Sequence, residues 1–331
     1  MRGQTTSAAL FLLVVPGFLA EVGSQNTPLL EYLSPVTFLL GTLTYGVPLL
    51  VIRELAAARS LNAAGIAILG LAYGILNEGV LARTLTQGSG PPLFDFAGYG
   101  QAGPFQVGWT LFMVTWHALH SVLYPMLMAR WLFPAAAAGP WFATGRARWV
   151  RFPMAVAMAG LYALYFLNPP AGDVGVFLIY VVATAAIVLV SLRFRSAAGS
   201  DASHVMGRPA LAGLLTVVLY LGAFAAPGHI PFAWYALAVL ATIALASSAI
   251  RRAGWRPVPE LLRFGAGDYL AFNLLAATIA AVQGNHPIEA VAAGILFVVI
   301  FASLLRAVSR QPFGRGATAP APAPAVTRGI A

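Results

Sequence analysis

The feature that most constrains this chain is a succession of apolar runs, each about as long as a bilayer is thick, with arginine clustered in every second segment between them. A hydrocarbon core about 30 Å thick is crossed by roughly 20 apolar residues of helix. Lipid offers no hydrogen-bond partner, so a spanning segment must satisfy its own backbone, and the helix is the form such runs take. Read this way, the sequence predicts ten spans, near residues 5–21, 36–52, 62–83, 109–129, 152–168, 174–192, 210–226, 232–250, 265–283 and 288–306. The expected fold class is all-α, a polytopic transmembrane helix bundle over residues 1–310. A Pro/Ala-rich tail, 311–331, includes "ATAPAPAPAV" and is expected to be disordered, since it has too little apolar surface to form a core.

Composition agrees with a lipid-facing chain. Only 9% of the 331 residues are charged and 60% are hydrophobic, whereas soluble domains carry roughly a quarter charged residues. Cysteine is absent, which excludes disulfides, thiolate catalysis and Cys-ligated metal centres. The net charge is +9 and all nineteen basic residues are Arg. They form no basic face interleaved with aromatics, so nucleic acid is not an expected partner. The bilayer is.

The arginines report topology instead. Cytoplasmic segments keep an excess of basic residues, and eighteen of the nineteen Arg fall in one alternate set of segments, leaving Arg83 alone in the other. This split predicts a bacterial inner-membrane protein with both termini in the cytoplasm. The first run contains Pro16-Gly17, is preceded only by Arg2 and has no small-x-small site after it, so it reads as a span and not as a cleaved signal peptide. One long loop is then external, "TQGSGPPLFDFAGYGQAGPFQVG" from Thr86 to Gly108. Its Gly, Pro and aromatic content points to an ordered cap.

An ionisable side chain at membrane depth is a functional candidate by default. Glu78 lies in the third run, and stepping back along its face gives Gly74, Gly70, Ala67 and Ala63. Such a ladder of small residues admits a neighbouring helix closely, so Glu78 should face the bundle. Arg83, five residues on, is about 140° around an α-helix from Glu78 and is not its automatic partner. In the fourth run Thr110, His117, His120, Ser121 and Tyr124 form one polar stripe at α-helical spacing. On that spacing His117 and His120 share a face and could meet one carboxylate, one substrate or one metal. At 1.5 Å per residue Glu78 lies about 7 Å and His117 about 12 Å below the outer ends of their helices, under the external loop. Catalytic candidates are therefore Glu78, His117 and His120, with Asn77, Arg83, Ser121 and Tyr124 as substrate-binding candidates. Two His and one Glu also make a zinc-type ligand set. Asp268, Glu289 and Glu21 lie near the interfaces, where solvation is cheap, and Glu54 reads as a solvated cytoplasmic loop residue. His204, His229 and His286 fall in loops. Pro16, Pro48 and Pro125 are expected to break helices near a midplane site if the protein is a transporter.

From Glu78 the sequence reads E-G-x-x-x-R, ending at Arg83. This resembles the E-E-x-x-x-R motif of the CPBP family of CAAX-protease and bacteriocin-processing intramembrane peptidases, to which PrsW-type peptidases look related. In that family the next spanning helix carries a catalytic His, which would match His117 or His120. The resemblance implies glutamate-dependent hydrolysis of a peptide bond, with Glu78 activating water and a membrane protein or peptide as substrate. Gly79 stands where the family has its second Glu, and four residues, not three, separate Phe112 from His117. Two other classes fit the same residues: a transporter or permease using the cluster for protons or substrate, and a non-catalytic membrane scaffold.

Overall fold

Eight helices account for most of the backbone in the computed structural model, which describes residues 2–87, 96, 98–136, 139–142, 174–195, 229–253 and 258–310; the side chains of residues 2, 242–243 and 245–260 fall outside that description. The helices are α1 (Arg2–Glu21), α2 (Pro35–Ala58), α3 (Ala63–Leu81), α4 (Val107–Leu132), α5 (Val174–Ser191), α6 (Phe232–Ala253), α7 (Val258–Val282) and α8 (Pro287–Ser309). Seven of them, α1 to α5, α7 and α8, are long and apolar enough to cross a membrane. The chain is an all-α membrane helix bundle. Eight of the ten expected runs coincide with these helices. The runs at 152–168 and 210–226, the tail at 311–331 and His204 lie outside the described residues.

Helix starts follow local chemistry. The Ser34 side chain accepts the Thr37 N–H ahead of Pro35, and Asn62 accepts the Gly65 N–H at 2.9 Å, so both α2 and α3 begin with an orphan donor satisfied. Helix α4 is the hub, packing against α1, α3, α6 and α7, while α2 leans on α1, α5 on α3 and α8 on α7. The small-residue ladder works as expected. A methyl group added at Gly70 would sit 2.6 Å from the Ala118 Cα, and one at Gly74 would sit 2.9 Å from the Val114 Cα. Helix α4 therefore lies almost backbone to backbone on α3. On the outside, α5 and α8 expose Val174, Val182, Leu189, Ile288 and Ile295, the surface a lipid-facing helix presents.

Three of the helices are not α-helical throughout. Residues Thr42–Gly46 of α2, Leu76–Leu81 of α3 and His117–Leu123 of α4 are wound as π-helix. In α2 and α4 a proline follows at once, Pro48 or Pro125. Proline has no N–H and its ring crowds the carbonyl four residues back. The wider π turn relieves that crowding, and tyrosines from other helices replace the missing donor. Tyr73 donates its hydroxyl to the Thr44 carbonyl at 2.7 Å, and Tyr269 donates to the His120 carbonyl. Pro48 and Pro125 thus widen their helices where a break was expected, and Pro16 sits inside a continuous α1.

Ahead of α4, the described residues 96 and 98–106 fold back onto the bundle. A two-residue antiparallel ladder pairs β1 (Gln101–Ala102) with β2 (Phe105–Gln106), turning through Gly103 at φ 58°. Phe96 is fully buried among Trp109, Phe112, Tyr99 and Tyr235. Tyr99 donates to the Ile230 carbonyl at 2.6 Å, and burial lifts its phenol above the ordinary phenol range.

Candidate functional site

The three π segments meet around one buried polar group, Glu78. Its Oε1 lies 2.9 Å from His117 Nε2 and accepts from Asn77 Nδ2 at 3.3 Å, and its Oε2 accepts the Thr84 hydroxyl. Glu78 is 5% exposed and His117 is fully enclosed. On the far side of the ring, His117 Nδ1 lies 2.8 Å from the Ser121 hydroxyl. With the carboxylate accepting, His117 carries its proton on Nε2, and Nδ1 accepts from Ser121. The imidazole is clasped by Tyr73, edge-on at 5.3 Å between ring centres, and by Tyr45 at 6.0 Å. Tyr45 in turn donates to Glu21 Oε1 at 2.7 Å, while Asn26 and Thr27 donate to the other Glu21 oxygen.

Thr84 reaches Glu78 because α3 stops sharply. The Ala82 N–H closes the π turn onto the Asn77 carbonyl at 2.7 Å, and Arg83 then adopts a left-handed φ of 62°. That reversal brings the Thr84 hydroxyl back over the carboxylate. Arg83 takes a structural place at the reversal and is not part of the wall around Glu78.

The wall belongs to a cavity of about 400 Å³. Asn77, Glu78 and Thr84 line it with Trp109, Phe112, Trp116, Phe272 and Tyr45, and Glu21, Ser24 and Asn26 continue the lining where α1 ends. Ser121 and Tyr124 are not in that wall.

His120 turns elsewhere, which corrects the expectation that it shares a face with His117. An α-helix would bring positions i and i+3 to within about 60° of each other. The roughly 4.4 residues per turn imposed by i→i+5 bonding opens that angle to about 115° and brings i+4 into line. Hence Ser121 sits against His117, and His120 faces α7, with Nε2 3.2 Å from Asp268 Oδ2. That contact is within ion-pair reach but out of line for a hydrogen bond, and the Asp268 carboxylate accepts instead from Tyr124 at 3.0 Å. Asp268 is 2% exposed, buried between helices where cheap solvation was expected. Its pairing was not legible because its partners lie 144 and 148 positions away in the sequence. The two acid–imidazole pairs are therefore separate. Among the described residues no three His, Asp or Glu side chains come together as a metal site, so the set Glu78, His117 and His120 does not fit a zinc ion.

Two other acidic residues also differ from expectation or meet it. Glu54 is half-buried and accepts the backbone N–H groups of Trp141 and Phe142 at 2.8 and 3.0 Å, where a solvated residue was expected. Its neighbour Arg53 is buried 3.6 Å over the Trp141 ring and donates to the carbonyls of Ala136 and Gly139. Glu289 stays near the end of α8, accepting from the Leu30 N–H at 3.0 Å, with exposed His286 beside it.

Sequence comparison places this arrangement. The pattern of an uncharacterized membrane protein family matches residues 10–315. The chain belongs to that family. No curated protein and no solved structure matches it. The family match covers every described residue that lines the cavity, from Ala20 to Phe272, and supports a membrane protein without extending to the intramembrane peptidases.

Proposed function

We propose that this family member is a membrane-embedded hydrolase, peptidase-like in its substrate, with Glu78 as general base. The observation that carries the reading is the Glu78–His117 pair, whose carboxylate stands in the wall of the cavity with the enclosed imidazole behind it. A carboxylate in such a position is costly and is found where it has work to do. The order Glu78–His117–Ser121 is that of a serine-hydrolase triad, but the carboxylate faces the cavity and the hydroxyl, 2% exposed, lies behind the ring. The nucleophile is therefore water.

In the reaction Glu78 takes a proton from a water in the cavity as that water attacks a carbonyl carbon. The developing oxyanion needs donors. Asn77 Nδ2, beside Glu78 in the cavity wall, is one. His117 holds the Glu78 carboxylate in position, and the proton on Glu78 passes to the leaving amine. The resemblance to CPBP and PrsW-type peptidases supports this assignment, because the two groups it implies, the first Glu of the motif and a His of the next helix, are the two that meet.

The test is hydrolysis of quenched fluorescent peptides by purified protein in proteoliposomes. Glu78→Gln is expected to lower the rate by about a hundredfold or more, with unchanged thermal stability. An unchanged rate overturns the reading. A proton-coupled transporter is the second reading, favoured by the buried His120–Asp268 pair, which the hydrolytic scheme leaves unused. Uptake driven by a pH gradient in the same vesicles, lost in Asp268→Asn, would favour it. Neither activity would leave the scaffold.

A further inference from the structure

The cavity's walls are negative and aromatic. Glu78 and Glu21 line it, and among the described residues its wall includes no Arg, Lys or His. Two helix C-termini also end in it, α1 through Ala20 and Glu21 and α3 through Leu81 and Ala82. Each helix C-terminus carries roughly half a negative charge from its unpaired carbonyls. The start of α4, with Trp109 in its first turn, and the start of the short helix Thr84–Gln87 oppose them.

Glu21 is placed against its own helix, since a negative side chain at a helix C-terminus is electrostatically unfavourable. It is nevertheless held there by three donors, the Tyr45, Asn26 and Thr27 side chains. Closing the turn after α1 does not need the carboxylate, because the Asn26 and Thr27 N–H groups already bond the Glu21 backbone carbonyl at 3.0 and 3.2 Å. The aromatic part of the wall is Tyr45, Trp109, Phe112, Trp116 and Phe272. Aromatic faces attract cations, most strongly where water is excluded.

We propose that the cavity selects a positively charged organic group, an ammonium or guanidinium, held between the Glu21 carboxylate and the aromatic wall. It rests on the cavity being the substrate site proposed above, and it names the class: peptides with a basic side chain or a free amino terminus near the scissile amide. A peptide so placed offers its carbonyl to Asn77 Nδ2 and its cation to the carboxylates.

The experiment reads binding separately from turnover. Choline and its uncharged carbon isostere, dimethylbutanol, are titrated into the purified full-length protein in nanodiscs by calorimetry. Choline is expected to bind about tenfold or more tightly than the isostere, with the preference lost in Glu21→Gln and retained in Gly3→Ala. Equal binding of the two probes, or an undiminished preference in Glu21→Gln, overturns the proposal. If Glu21→Gln does not fold, Trp116→Leu serves, with the same expected loss. Hydrolysis is then measured with paired peptides differing by Lys against its uncharged isostere norleucine. Choline selectivity without hydrolysis of any peptide keeps the cation site and removes the hydrolase. Hydrolysis with no preference for Lys does the reverse.

Discussion

Replacing Gly70 with alanine tests the arrangement at its narrowest point. The added methyl would meet the Ala118 Cα at 2.6 Å and the Ala118 carbonyl oxygen at 2.9 Å. Carbon atoms pack at about 3.5–4.0 Å, so the shortfall is about 1 Å, and it falls on backbone, which cannot rotate away. Helices α3 and α4 must part by about that amount or lose local contacts, at a cost of about 2 kcal/mol by analogy with overpacked cores. At roughly 2–4 °C per kcal/mol, the apparent melting temperature should fall by about 5 °C. The same change at Gly74 meets Val114 Cα at 2.9 Å and His117 Cβ at 3.2 Å. Gly74→Ala therefore pushes on the imidazole directly and should lower hydrolysis more than Gly70→Ala for an equal loss of stability. Gly3→Ala, with nothing within 4 Å of the added carbon, is the control. Thermal unfolding in nanodiscs reads the first effect and peptide hydrolysis the second. A melting temperature for Gly70→Ala equal to that of Gly3→Ala would refute the backbone-to-backbone packing, and with it the route by which Glu78 reaches His117.

Phe96→Ala removes the ring that seals the cap against Trp109, Phe112 and Tyr235. It should cost about 3–5 kcal/mol and speed amide exchange at residues 98–106, measured by hydrogen–deuterium exchange. Arg53→Leu strips the cation from Trp141, Glu54 and two carbonyls. It should destabilise by about 3 kcal/mol and make residues 134–142 sensitive to limited proteolysis. Tyr269→Phe leaves the His120 carbonyl, whose π-helical donor position is Pro125, without its hydroxyl partner. A loss of about 1–3 kcal/mol in thermal unfolding is expected, with peptide hydrolysis changed less than by Glu78→Gln.

Much of the site was legible because burial in lipid leaves so few polar residues to choose from. Glu78 stood out as a carboxylate in an apolar run, and the glycines behind it announced a close helix. The partner helix and the His117 pairing followed from adjacency and depth. Thr84 was missed because it lies beyond the helix end, and only the left-handed Arg83 returns it to the carboxylate. Asp268 was read as interfacial because its position near the start of a run suggested solvent. The helix begins ten residues earlier, at Val258, so Asp268 lies three turns inside it. The pairing of His117 with His120 failed for a different reason. It assumed α-helical spacing through a stretch that is π-helical.

By itself the sequence determined the solvent of this protein, its helical class, most of its spans and the face on which Glu78 meets α4. Hydrophobic length and side-chain size act locally, and they can be read one segment at a time. Only the tertiary structure decided that Glu78 pairs with His117 while His120 pairs with Asp268. That choice depends on the π turns of α2, α3 and α4, and in α2 and α4 on Tyr73 and Tyr269 supplying donors to the Thr44 and His120 carbonyls. A change of winding rotates every side chain beyond it, and the groups that stabilise the change come from helices distant in sequence.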